Sequence, residues 1–416
     1  MAEHSDNFPQ ADENPLSSGG NWVAAGTNPR PQVVGNRVRV AALGDFATSI
    51  YNTAVANDQF AQITVPTWNN SGAAVIIAGL LLRAADAPTV TYYEIDIIED
   101  PGLTARYEIY RVVAGAYTAL AGPTNMTVVA GDILCAMIRG ATLFLFQNNA
   151  LVVSVVDGSP IASGKIGLII DVHAGGTIND VEVDDFIGGD LRKTRFYLPN
   201  TGAAEISPAF TLQASWTATT GADRIRMPVA RIASAMTSKV QAAPGTAANQ
   251  KWLFRQYVSD PIRGGGSIFG ALFGQIRGLE SAANDNIDAI SLKLLVVDSA
   301  GNLRGTLLPL ANYGTIAELN TALRNKIIAN GDGLTAVTYQ NGDRIVAEIG
   351  LTNTVAGTSV SGSLSFGDDS ATDLAEDETA TAANNPWLEI VGMNLQLGLQ
   401  PMTKPNLYAL KRASFH

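Results

Sequence analysis

The stretch TYYEIDIIEDPG, residues 91–102, decides how the first half of this chain is read. Tyr93, Ile95 and Ile97 alternate with Glu94 and Asp96, and period-two alternation is the pattern of a β-strand with one face on a core. That reading puts Glu94 and Asp96 on the solvent side. The Asp-Pro-Gly that follows Glu99 reads as a turn, because proline presets φ for its first central position and glycine takes the positive φ of its second.

Runs of the same kind extend outward on both sides: NRVRVAAL, QFAQITV, AVIIAGLLLR, ARYEIYRVV, DILCAMIRG, TLFLFQ and ALVVSVVD. Gly, Asn and Asp punctuate them, the signature of an antiparallel all-β domain. Asn148 and Asn149, between TLFLFQ and ALVVSVVD, suit a tight hairpin because asparagine tolerates positive φ. Beyond residue 190 the strand-like runs continue, among them KWLFRQYVSD, FGQIRGLES, DRIVAEIGLTNT and SVSGSLSFGDD. The sequence therefore predicts an all-β protein of two tandem sandwich domains, residues 1–190 and 191–416. One short helix is expected in the second, over residues 315–329, where Ile316, Leu319, Leu323 and Ile327 fall on one face and Thr315 with Glu318 forms a capping box.

Composition narrows the function. A chain of 416 residues is too long for one sandwich core, and a net charge of -11 disfavours binding to nucleic acid or to an anionic membrane, both of which need clustered Lys and Arg. The start, MAEHSDNFPQ, is polar and acidic where a signal peptide is basic. The longest apolar run, residues 73–82, falls short of the roughly 18 residues a spanning helix requires, so no membrane insertion is expected. Cys135 stands alone, which excludes an intrachain disulfide, and its apolar setting reads as a buried small side chain. His4, His173 and His416 are too scattered for a zinc site or a Ser-His-Asp triad. RGGGSIFG, residues 263–270, lacks the Lys-Ser/Thr of a phosphate loop and reads as a turn. No cofactor is expected.

Glu94, Asp96 and Glu99 stand at the spacing E-x-D-x-x-E, which resembles the catalytic strand of laminarinase-like glucanases. The resemblance implies Glu94 and Glu99 as a catalytic pair, flanking Asp96. On a regular strand, however, residues five apart point to opposite faces, so the pair works only where a bulge restores the facing. Residues 6–187 also resemble the concanavalin A-like lectin and laminin-G-type jelly rolls, through the order of DNFPQADENPLSSGGNW, ARYEIYRVVAGAYTAL, VVAGDIL, TLFLFQNNALV and VDDF. Many such domains hold calcium near strand ends, where Asp157, Asp171, Asp180, Asp184 and Asp185 are placed. A second oxygen-rich candidate is the acidic stretch FGDDSATDLAEDETAT, with Asp368, Asp369 and Asp373 as calcium ligands and Glu376, Asp377 and Glu378 behind them. A solvated acidic loop is the alternative for that stretch.

Residues 195–392, through KWLFRQYVSDPI, GQIRGLES, GDRIVAEIG and FGDDSATDL with NNPWLEI, resemble the sandwich of minor structural proteins of tailed bacteriophages. The two resemblances imply a virion protein made in the host cytoplasm and carried on head or tail, as capsid decoration, head fibre, tail fibre or tail tip. It would pack against other virion proteins as a homo-oligomer and present the lectin-like domain to host cell-surface glycan. On this reading the protein is not an enzyme. The alternatives are a virion-borne glycoside hydrolase or depolymerase using Glu94 and Glu99, and an architectural protein that binds no glycan.

Overall fold

The computed structural model describes residues 3–69, 74–204, 216–241, 247–282, 287, 289–313, 319–353, 361–369, 372–380, 383–392, 395 and 397. The chain divides into two compact units, Met1–Arg192 and Lys193–His416. Both are built from β-strands, as the alternating runs predict, and among the described residues the only helical turn is the three-residue 3-10 segment Ser18–Gly20. No helix among those residues is long and apolar enough to cross a membrane.

In the first unit the strands are β1 (Glu3–Asp6), β2 (Trp22–Ala24), β3 (Gln32–Val34), β4 (Arg37–Arg39), β5 (Ala47–Tyr51), β6 (Gln59–Trp68), β7 (Ile76–Ala84), β8 (Tyr92–Glu99), β9 (Arg106–Val113), β10 (Ala116–Asn125), β11 (Asp132–Arg139), β12 (Thr142–Gln147), β13 (Ala150–Val156), β14 (Lys165–Val172) and β15 (Val181–Asp190). One sheet runs β13-β12-β11-β6-β15-β4-β3, with β1 also pairing β15; the other runs β10-β9-β8-β7-β14-β5-β2. Every pairing is antiparallel, and chain neighbours such as β5 and β6 lie in different sheets. Asn148 and Asn149 take φ of 52° and 69° in the β12–β13 hairpin, the positive values that a two-residue turn of this hand demands.

The core between these sheets takes Tyr93, Ile95 and Ile97 from β8, Ala78, Leu80 and Leu82 from β7, and Phe186 from β15. Each fully buried aliphatic or aromatic side chain contributes about 1.5–3 kcal/mol. Trp22 on β2 packs edge-on against Phe186, from the opposite sheet, with ring centroids 4.8 Å apart. Cys135 lies in β11 and is buried, which pushes its thiol up to about 12. A thiol held that far above neutrality carries little thiolate, so we expect Ellman's reagent to label it in denaturant and not in the native protein. Rapid labelling without denaturant would contradict this placement.

The second unit comprises β16 (Lys193–Tyr197), β17 (Ala218–Met227), β18 (Thr237–Val240), β19 (Lys251–Ser259), β20 (Gly266–Glu280), β21 (Ala289–Val297), β22 (Leu303–Tyr313), β23 (Arg324–Tyr339), β24 (Arg344–Thr352), β25 (Gly362–Phe366) and β26 (Trp387–Val391). They form a sheet β16-β26-β20-β25-β18, in which β23 also pairs β20, and a sheet β17-β19-β24-β21-β22. β17 and β19 run parallel, unlike the rest. Phe254, Tyr257, Leu294, Ile349 and Phe366 lie in the core of this unit.

The helix expected over 315–329 is corrected by β23. Residues 324–329 belong to a 16-residue strand whose register with β20 sets Arg324 against Gly278 and Ile328 against Gly274. Leu319, placed on the helical face by the sequence pattern, is buried in the core of the unit, but in the strand it is Ile328 and not the expected Ile327 that joins it there. Long-range pairing and burial of β-branched residues outweigh a helical period spanning only a few turns. Thr315, Ile316 and Glu318 lie outside the described residues.

Candidate functional site

β8 lies between β7 and β9 in the seven-stranded sheet, and its register is unbroken along its whole length. Asp96 stands opposite Gly79 on one side and Glu108 on the other; Glu94 stands between Leu81 and Tyr110. Because Tyr93, Ile95 and Ile97 fill the core, strand alternation turns Glu94 and Asp96 to the outer face of the sheet. Tyr92, Leu81 and Ile169 form a separate apolar cluster on that outer face.

The solvated position expected for the two acids is corrected. Glu94 is 3% exposed and Asp96 1%. Two local features cause this. Gly79 offers no side chain opposite Asp96, whose Oδ1 settles 2.4 Å from where a Cβ on Gly79 would stand. Tyr117, half-exposed on the edge strand β10, reaches over with its hydroxyl 3.4 Å from Glu94 Oε2.

Burial raises the pKa of both acids. For Asp96 the negative charge of Glu94 adds to burial, as do its hydrogen bond to Glu94 and the charges of Glu108 and Asp171, and the group ends well above the usual carboxylate range. The pair therefore favours keeping a proton within the Asp96–Glu94 hydrogen bond. Beside them Glu108 accepts from Arg106 Nε at 2.6 Å and from the Tyr110 hydroxyl, a bond that pushes the phenol up to about 12. Asp171, further across the same sheet on β14, is raised by burial and accepts from His173 Nε2 at 2.9 Å.

Glu99 is not brought to this group. With no bulge in β8, it lies on the opposite face from Glu94, and it accepts a 2.6 Å hydrogen bond from Trp68 Nε1. The spacing that resembles a glucanase strand is present, but the backbone irregularity that makes it catalytic is not. Replacing Trp68 with phenylalanine should cost about 1 kcal/mol in chemical denaturation through the lost hydrogen bond, and should leave any property of the Glu94 face unchanged. A change in that face on Trp68→Phe would contradict the opposed facing.

Glu108 and Tyr117 belong to the site and were not singled out by sequence, and Asp171 was marked only as a calcium candidate near a strand end. A signal for Glu108 existed: YEI occurs in both YYEIDII and ARYEIYR, so two neighbouring strands carry an acid in the same phase of alternation. Nothing local marks Tyr117, which arrives through β10, or ties Asp171, which arrives through β14, to this group of acids.

The calcium candidates of the acidic stretch are engaged one by one by N–H donors. Asp368, fully buried, accepts from Arg231 Nε at 2.7 Å. Asp369 accepts from the backbone of Asn384 at 2.5 Å. Asp373 accepts from an Arg195 guanidinium nitrogen at 2.9 Å and from Trp387 Nε1 at 3.0 Å. Lys326 reaches Glu376 at 3.2 Å and Asp377 at 2.6 Å. In the first unit Asp157 takes the Tyr93 hydroxyl at 2.8 Å and Arg111 at 2.7 Å, Asp180 takes Thr177 Oγ1 at 2.7 Å, and Asp184 takes the backbone N–H of Asp185, itself a candidate, at 2.8 Å. Among the described residues no three acidic, histidine or cysteine side chains converge as a metal site.

No protein-family profile matches the chain, and no curated protein matches it in sequence. Solved structures similar to it include the carbohydrate-binding module CBM66 from Bacillus subtilis, 15% identical with a TM-score of 0.30, covering 42% of this chain and 96% of that one. A prokaryotic β-1,3-1,4-glucanase (lichenase) derived from a mouse hindgut metagenome is 12% identical with a TM-score of 0.31, covering 46% and 99%. The Crh5 transglycosylase in complex with NAG is 13% identical with a TM-score of 0.30, covering 45% and 83%. Two of the three are enzymes, which corrects the expectation that this protein is not one: the fold class gives no ground for excluding catalysis.

Proposed function

We propose that the first unit is a carbohydrate-active sandwich that receives a glycan on the outer face of its seven-stranded sheet, around Glu94, Asp96 and Glu108. The observation that carries this reading is the grouping, on one sheet face, of three carboxyl groups with the phenols of Tyr110 and Tyr117. Carboxylates accept hydrogen bonds from sugar hydroxyls, and aromatic rings cover the apolar faces of sugar rings. The chain displays this unit on a phage particle, with other virion proteins and further copies of itself as partners. That part rests on the resemblance of residues 195–392 to tailed-phage structural proteins.

Cleavage of the bound glycan is the second reading, and a specific arrangement favours it. The Asp96–Glu94 pair favours keeping a proton, and Glu108 faces Asp96 across the β8–β9 pair, so an acid and a candidate base share one face without Glu99. A glycan array with the purified chain, followed by a reducing-sugar assay on each glycan bound, tests both readings. Binding lost in Glu94→Gln supports the site; sugar release lost in Glu108→Gln with binding kept, and retained in Glu99→Gln, supports cleavage. A chain that binds no glycan overturns the proposal, and its absence from intact particles viewed by electron cryo-microscopy overturns the virion role.

A further inference from the structure

Two carboxylate oxygens on the outer face of the seven-stranded sheet are buried and make no hydrogen bond: Oδ1 of Asp96 and Oδ1 of Asp171. Each belongs to a residue only 1% exposed. The strands lay them out around Gly79. Asp96 is opposite that glycine on β8, Ile169 is opposite it on β14, and Asp171 follows two residues further along the same face of β14. Asp96 Oδ1 rests over the space that a side chain at position 79 would fill.

Charge near this shelf is one-sided. Glu94, Asp96, Glu108 and Asp171 supply four carboxyl groups, and Arg106, the guanidinium among them, is shared between Glu108 and Asp100. His173 answers one oxygen of Asp171 and leaves the other without a partner. Leaving buried carboxylate oxygens unpaired is costly, and sugar hydroxyls would supply donors without changing the charge balance. An ammonium group supplies three N–H donors and the missing positive charge together.

We propose that the shelf over Gly79 receives the ammonium group of an amino sugar with a free amine, between Asp96 and Asp171. This rests on the glycan reading above and names the class of glycan. Tyr117 is the cover that gives way, since it is half-exposed on an edge strand and its bond to Glu94 is long, 3.4 Å, while its contacts with Tyr92 and Tyr110 lie on the side away from Gly79. On binding, the ammonium donates to Asp96 Oδ1 and Asp171 Oδ1, the two oxygens that have no partner.

The test is calorimetric titration of the full chain with three tetrasaccharides of one linkage: β-1,4-glucosamine, its N-acetylated form, and cellotetraose. The amine should bind at least about ten-fold more tightly than either neutral oligomer, a difference of about 1.4 kcal/mol. Asp96→Asn and Asp171→Asn should each bring that ratio close to one while neutral binding persists, which shows the variants folded. Asp86→Asn, which removes an exposed acid of the same unit, should leave the ratio as it is. The inference falls if the three oligomers bind alike, if the preference survives both site variants, or if Asp86→Asn abolishes it. Neutral binding without amine preference sinks the amine and spares the glycan reading; binding of no oligomer here and of no glycan on the array sinks both.

Discussion

Trp22→Ala should remove about 3–5 kcal/mol from the stability of the first unit, the range for deleting a large aromatic side chain from a core. Trp22 is 1% exposed and bridges the two sheets: it belongs to β2, and its ring meets Phe186 of β15 edge-on. It also packs at 5.4 Å against Tyr51, and its Nε1 donates to Asp6 Oδ2 at 2.8 Å. Truncation therefore opens a cavity and removes one of the donors on which Asp6 depends. Domains of this size are stable by about 5–15 kcal/mol, so the loss is a large fraction of the total. Guanidinium denaturation followed by far-ultraviolet circular dichroism would measure it, and a loss under about 1 kcal/mol would show that Trp22 does not join the sheets.

Asp96→Asn should have the opposite sign, and its size should depend on pH. The folded protein holds the Asp96 carboxyl well above its unfolded value, by burial first and by the charge of Glu94 second. Below the ordinary carboxylate range both states keep the proton, and the group costs folding nothing through titration. As pH rises past the unfolded value the unfolded chain releases its proton first, so the folded state is penalised increasingly until the folded group also ionises. Asparagine cannot titrate, yet its amide can still donate to Glu94. The variant should therefore gain about 1–3 kcal/mol at pH near 8, the cost of a poorly satisfied buried group, and almost nothing near pH 4. Melting curves at pH 4, 6 and 8 would check this. A gain that is equal at all three, or a loss at pH 8, would contradict the buried, proton-holding state of Asp96.

Both results bear on how much of the molecule could be read before it was folded. The strands were legible because alternation and turn chemistry are local: YYEIDII declares a half-buried strand, and Asn148 with Asn149 declares a hairpin. The region 315–329 misled for the converse reason. Its apolar spacing fits a helix, but Ile328 packs in the core of a strand pair with β20 from residues some fifty positions earlier, a contact no local window contains. The acidic stretch misled in a related way, since the arginines and backbone amides that engage Asp368, Asp369 and Asp373 come largely from other segments.

By itself the sequence determined the class of the fold, the identity of the inward-facing residues of β8, and the presence of acids on its other side, because each follows from a period of two along one strand. Only the tertiary structure decided what those acids are. It kept β8 free of a bulge and so sent Glu99 to Trp68 on the opposite face. It set Gly79 beside Asp96, brought Glu108, Asp171 and Tyr117 from three other strands, and buried what alternation alone would have left in water. Facing is a local property of a strand, whereas burial and protonation depend on which strands lie beside it.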